Sequence, residues 1–165
     1  MFIKCFDFVP FFSNETDGVK KSEDYKPFSF KNDRIARIAI AVLNSSTFFF
    51  WFIALGDCFH CGKEYIHTFP IDLEQIPEET GKTLAALGTK LMKDMGKHKV
   101  RRVAQSERSG RVEYDEFWPR HSKGIIDEID IVLARHYGFS GAELDFIVNC
   151  DIKYRLGADA NEDEE

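Results

Sequence analysis

The sequence predicts an α+β fold, mostly helical, with a few short strands and a two-helix corner at the C-terminal end. Apolar residues at Ile125, Ile126, Ile129, Val132, Leu133 and Tyr137 recur at helical spacing. A second long amphipathic run, Glu78 to Lys97, places Leu84, Leu87, Leu91, Met92 and Met95 on one face and lysines on the other. Strand-like alternation is confined to short pieces, as where Val112 and Tyr114 alternate with polar neighbours.

From the start of the chain, residues 1–31 alternate aromatics with Pro10, Pro27 and the polar stretch Ser13 to Asp24, which predicts a strand, a loop and a second strand. Asp33 is placed to cap a helix carrying Ile35, Ile38, Ala39, Val42 and Leu43, and Ser45 or Ser46 to cap another through Phe48, Phe52 and Leu55. Glu64 to Phe69 reads as a short strand ending at Pro70. After the helix over 78–97, Val100 to Phe117, with Ser109 and Gly110 near its middle, reads as a basic hairpin or a mobile loop. The next helix ends at Gly138. Ser140 and Glu143 form an S-x-x-E capping box for the last one, with Phe139 and Leu144 placed as a hydrophobic staple. The acidic residues Asp127, Glu128 and Asp130 are expected on the solvent side, opposite the apolar stripe. Clustered carboxylates bind magnesium, but without a third carboxylate or lysine arranged as a nuclease site needs, a solvated or lysine-paired face is the better reading.

The chain thus divides into an N-terminal strand and loop segment over 1–31, a main domain over 32–157 and a disordered acidic tail over 158–165. A chain of 165 residues can bury a real core. Its 16 phenylalanines, many of them between Phe2 and Phe12 or Phe48 and Phe52, exceed what that core needs and suggest a surface meant for a neighbour. Met1 to Cys5 does not read as a secretory start, and Asn44 to Thr47 break the apolar run Ile38 to Leu55 well short of the ~20 residues a membrane span requires. With four cysteines and no secretion signal, reduced thiols in a cytoplasmic protein are expected, and no membrane partner.

The words IIDEID, LARHYGF and ELDFIVNCDIKYRLG, between Ile125 and Gly157, resemble the C-terminal end of adenine-specific DNA methyltransferases of restriction-modification systems, including the type IIG class that fuses methylation to cleavage. LNSSTFFFWFIALGDCFHCGKEYIHTFPI, Leu43 to Ile71, resembles the target-recognition region that follows the catalytic domain in the same family, and the two matches stand in the family's order. With the segment between them they span most of the chain from about Asn32 to Gly157. The resemblance implies double-stranded DNA and a methyltransferase catalytic domain or subunit as partners. It also implies S-adenosylmethionine as the cofactor of the parent enzyme. This chain has neither the Gly-x-Gly loop that holds that cofactor nor the proline pair that grips a flipped adenine, so no catalytic or cofactor-binding position carries over.

The formal net charge of −6 argues against a nucleic-acid binder, but its distribution does not. From Lys82 to Lys123 there are eleven Lys or Arg against five Asp or Glu, while Asp159 to Glu165 holds five acids and no base. Lys90, Lys93, Lys97, Lys99, Arg101, Arg102, Arg108 and Arg111 read by spacing alone as a solvated helix face and loop; the resemblance makes them candidates for phosphate contact. Candidates for reading the site are Asn44, Ser45, Ser46, His60 and Lys63. The first three serve equally to break and cap helices, the better reading of the residues themselves. Trp51 within FFFWF reads as core rather than a stacking platform, and Trp118 as a pin for the final helices. Cys58-Phe59-His60-Cys61, with His67 nearby, has zinc-ligand types but no second pair, since Cys5 and Cys150 stand alone; nor does it have the sheet context of a redox motif. In the family reading Asp57 to His60 forms a turn in which Cys58 and His60 fit the pattern and Cys61 departs from it.

The rival expectation is a non-enzymatic protein-interaction module, or a split-subunit remnant that docks on a methyltransferase, its lysines serving only solubility.

Overall fold

The computed structural model describes residues 4–22, 25–56 and 61–150, and the architecture is α+β: six helices and one four-stranded antiparallel sheet among those residues. Strands β1 (Phe12–Asn14) and β2 (Gly18–Val19) form a small hairpin. The basic segment is a hairpin of β3 (Val100–Ser106) and β4 (Gly110–Glu116), as one of its two sequence readings had it. The strand order β2-β1-β4-β3 joins the two hairpins, because Phe12, Ser13 and Asn14 of β1 pair with Tyr114, Glu113 and Val112 of β4. The N-terminal segment is therefore stitched to the middle of the chain, and its aromatics follow: Phe6 and Phe8 pack on Phe117, at ring distances of 4.6 and 5.8 Å.

Helix α1 (Asp33–Leu43) is capped one residue earlier than expected, by the Asn32 side chain accepting from Ile35 N–H. Asp33 instead lies in the first turn, where a negative charge suits the helix dipole. Helix α2 (Ser46–Leu55) is capped by Ser45, whose Oγ accepts from Phe48 N–H. The α1–α2 pair is bent by 65° at Asn44–Ser45, and no single helix among the described residues is long and apolar enough to cross a membrane. The apolar run is core: Ile38, Val42 and Phe48 are fully buried, and Trp51 is partly buried with its ring edge-on to Phe69.

Residues 63–67 depart from the expected strand. They form a helix, α3 (Lys63–His67), closed by Thr68 N–H donating to the Glu64 carbonyl. Over so few residues alternation does not separate strand from helix; a single turn brings Tyr65 against Phe52 and leads Phe69 into the core. Helix α4 (Glu78–Lys97) has the bounds read from the sequence and lies close along α1. A 3-10 turn (Pro119–Ser122) leads into α5 (Lys123–Tyr137), which stops at Gly138 in the left-handed conformation, φ 74°, where glycine carries no Cβ penalty. Helix α6 (Gly141–Asn149) starts with the expected capping box: Glu143 N–H donates to Ser140 Oγ while the Glu143 carboxylate accepts from Ser140 N–H.

The expected solvent side of α5 needs one correction. Asp127 is held by Lys123 at 2.7 Å and Glu128 by Lys90 at 2.7 Å, a lysine-paired face. Asp130, however, is fully buried. It lies four residues after Ile126 and three before Leu133, on the apolar stripe itself, and its carboxylate accepts from Ser46 N–H, Thr47 N–H and Thr47 Oγ1.

Candidate nucleic-acid interface

The basic residues converge because α4 runs directly into β3. Lys90, Lys93 and Lys97 lie exposed along α4; Lys99, Arg101 and Arg102 follow within five residues of its end. Strand β3 is the outer edge of the sheet, and only Ser106 of its seven residues is even half-buried. Its arginines are aimed by acids on β4. Arg101 Nε donates to Asp115 Oδ1 at 2.7 Å, Lys99 Nζ to Asp115 Oδ2 at 2.8 Å, and Arg102 Nε to Glu116 Oε2 at 2.7 Å. The Arg101 guanidinium also sits 3.7 Å over the Phe11 ring, a cation–π contact that fixes its plane.

Asp115 is the hub of this set, with a side chain only 2% exposed. Burial alone would push its carboxyl up, but hydrogen bonds from Lys99, Arg101 and Phe11 N–H outweigh that and hold it below the ordinary carboxylate range. Arg111 pairs with Glu113 at 2.8 Å and Lys90 with Glu128, so much of the cationic charge in this region is matched locally. Lys93, Lys97 and Arg108, the last in the turn of the hairpin, make no ion pair among the described residues.

A second group extends the surface and was missed by sequence reasoning. Trp118 Nε1 donates to Glu116 Oε2 at 3.0 Å, the acid that also holds Arg102, and Arg120 lies 5.1 Å from the indole ring. His98 and His121 stack at 5.4 Å, with Asp94 beside His98 at 3.4 Å and accepting from Ser122 Oγ at 2.8 Å. Trp118 therefore stands where the hairpin enters the 3-10 turn, joined to the basic strand. Its link to Arg102 depends on strand register, which composition does not reveal.

Of the residues expected to read a site, Lys63 is exposed at the start of α3, 5.8 Å over the Phe28 ring. His60, with Asp57 and Cys58, falls outside the described residues. Asn44 is a correction. It is 1% exposed and spends its amide on the backbone, accepting from Cys5 N–H at 3.0 Å and donating to the Cys5 and Ile40 carbonyls at 2.9 and 2.8 Å. Its position at the α1–α2 corner makes it a clamp on the N-terminal segment rather than a group presented to a groove. Ser45 and Ser46 are buried at the same corner.

His67 borders a cavity of about 530 Å³ whose walls include Phe28, Phe30, Ile66 and Leu73, with Lys31 and Glu74 bridging at 3.0 Å. Among the described residues no group of three or more His, Cys, Asp or Glu is placed to hold a metal ion. Burial, with help from Glu64, pushes the Cys61 thiol up to about 11.

No family model matches the chain, no curated protein matches its sequence and no solved structure matches its fold.

Proposed function

We propose that this chain is the C-terminal DNA target-recognition portion of a site-specific adenine DNA methyltransferase of a restriction-modification system, acting in the cytoplasm on chemistry performed by a catalytic domain outside it. S-adenosylmethionine belongs to that catalytic domain. The observation that carries the reading is the exposed edge of the sheet: strand β3 carries Arg101 and Arg102 and, with Lys99 just before it, continues the lysines of α4 along one basic surface. Arg108 lies at the tip of the β3–β4 hairpin. Lys93 and Lys97 flank its base and supply phosphate contact, while Lys63, and His60 from the family pattern, lie on the segment expected to read bases.

The test is duplex binding by the purified chain, followed by fluorescence anisotropy across salt. Three neutralised phosphates correspond to a slope of about −3 in log affinity against log salt, a loss of roughly 50-fold between 50 and 200 mM. Affinity that does not change with salt, or no binding at low salt, rejects the reading. So does methyl transfer from S-adenosylmethionine by the chain alone.

One observation favours the second reading, a protein-interaction module that docks on a methyltransferase subunit. Phe146 of α6 is 62% exposed and Leu55 of α2 59% exposed, and Phe146 meets Phe50 edge-on at 5.7 Å, an apolar surface without cover among the described residues. Binding to a methyltransferase subunit with no contribution from DNA supports that alternative.

A further inference from the structure

The outer edge of β3 has a defined hydrogen-bonding face, deduced from the rest of the sheet. Asp115 N–H donates to the Phe11 carbonyl and Glu15 N–H to the Arg111 carbonyl, so the odd-numbered residues of β4 turn their backbone groups toward β1. By alternation the even-numbered residues Val112, Tyr114 and Glu116 turn toward β3, where the register sets them opposite Ala104, Arg102 and Val100. Arg101, Val103 and Gln105 therefore present their N–H and C=O groups outward, away from the sheet.

Edge strands are commonly guarded by charged side chains. Here the obvious guards are drawn inward: Arg101 toward Asp115 and Phe11, and Arg102 toward Glu116, each ion pair at 2.7 Å. What remains along the edge includes Val103, 57% exposed, and Val100, 42% exposed.

We infer that this edge pairs with β3 of a second copy of the chain, antiparallel, with the two-fold axis at Val103. The strand is self-complementary in that register. Val103 meets Val103, Arg101 of one copy meets Gln105 of the other, and Arg102 meets Ala104, so no two arginines stand directly opposite. Just beyond the strand, Lys99 of one copy faces Glu107 of the other. The outward backbone groups of Arg101, Val103 and Gln105 are those a hydrogen-bonded pair at the axis requires. The result is a continuous eight-stranded sheet with the basic hairpins at its centre. A ladder of one short strand from each copy buries far less than a standard interface, so the dimer is a weak one.

The pairing is tested without DNA, which separates its outcome from that of the binding reading. Sedimentation of the full chain should show 19.1 kDa at about 1 µM and move toward twice that mass as the concentration approaches about 1 mM. Val103→Pro removes an N–H that faces outward and serves no bond to β4, so the hairpin survives, as an unchanged circular dichroism spectrum and melting temperature will show, and the chain stays at 19.1 kDa throughout. Gln105→Glu, set against Arg101 of the other copy, should tighten association several-fold; Gln105→Arg should weaken it by a similar factor. A chain that remains at 19.1 kDa at every concentration overturns the proposal. Association by a folded Val103→Pro variant at wild-type strength, or the two Gln105 variants shifting in the same direction, does so too.

Discussion

Asp130 on α5 accepts hydrogen bonds from the first two amides of α2, 3.2 Å from Ser46 N and 3.1 Å from Thr47 N. Ser45 Oγ takes the third, from Phe48 N, so the leading amides of α2 are satisfied without water. The carboxylate lies fully buried at the positive end of the helix dipole, and it ties two helices more than 80 residues apart in sequence. Asp130→Ala strands the Ser46 and Thr47 amides in the interior. The expected cost is about 3 kcal/mol, read in urea denaturation, with a fall in melting temperature of roughly 10 °C. A loss of less than about 1 kcal/mol would mean that water replaces the carboxylate and that the corner does not depend on it.

Gly88 sets the separation of α1 and α4. A Cβ built there collides with the Arg37 carbonyl oxygen, a backbone atom that cannot swing aside as a flexible side chain does. Alanine is the better helix former by about 1 kcal/mol, so propensity alone makes Gly88→Ala stabilising. The packing predicts the opposite sign, a net destabilisation of about 1–3 kcal/mol as the helices are forced apart. Gly96 on the same helix has open space around its Cβ position and is the control: Gly96→Ala should be neutral or mildly stabilising. Equal effects at the two sites would remove close helix contact as the reason for Gly88.

How far these relationships were legible in the sequence depends on how local they are. The bounds of α4, the stop at Gly138 and the Ser140–Glu143 box follow from signals within a few residues, and the structure carries them as read. Asp130 was misplaced although its position was visible: its spacing from Ile126 and Leu133 puts it on the apolar stripe, and only its charge suggested solvent. The amides that make its burial tolerable belong to another helix. The basic cluster was legible as composition, whereas its pairing was not, because Lys99, Arg101 and Arg102 meet Asp115 and Glu116 only once the register of the hairpin is set. Helix α3 was missed because one turn leaves too short a pattern.

Asp115 makes the hairpin sensitive to acid. Its carboxyl is held below the value of about 3.9 expected in the unfolded chain, so its contribution to stability is complete above that pH and is lost as pH falls through the lower folded value. Asp115→Asn should therefore cost about 1–3 kcal/mol at pH 7 and progressively less below about pH 4, where the wild type loses the same contribution. Paired urea titrations at pH 7 and pH 3 measure the difference. A deficit of equal size at both pH values would assign the loss to packing rather than to charge.

The cations divide into those held by an acid and those that are not, and the division should appear in the salt dependence of duplex binding. Lys93, Lys97 and Arg108 make no ion pair among the described residues, so each can meet a phosphate without first giving up a carboxylate. Replacing all three with glutamine should reduce the slope of log affinity against log salt by about 2 to 3. Arg102→Gln should change it by less than 1, because Glu116, 2.7 Å away, already neutralises that guanidinium and must be displaced before a phosphate can be met. The reverse order, with Arg102 dominating and the three unpaired cations inert, would place the DNA on the Trp118 side of the hairpin, where Glu116 releases Arg102 on contact and Arg120 is the next positive charge in line.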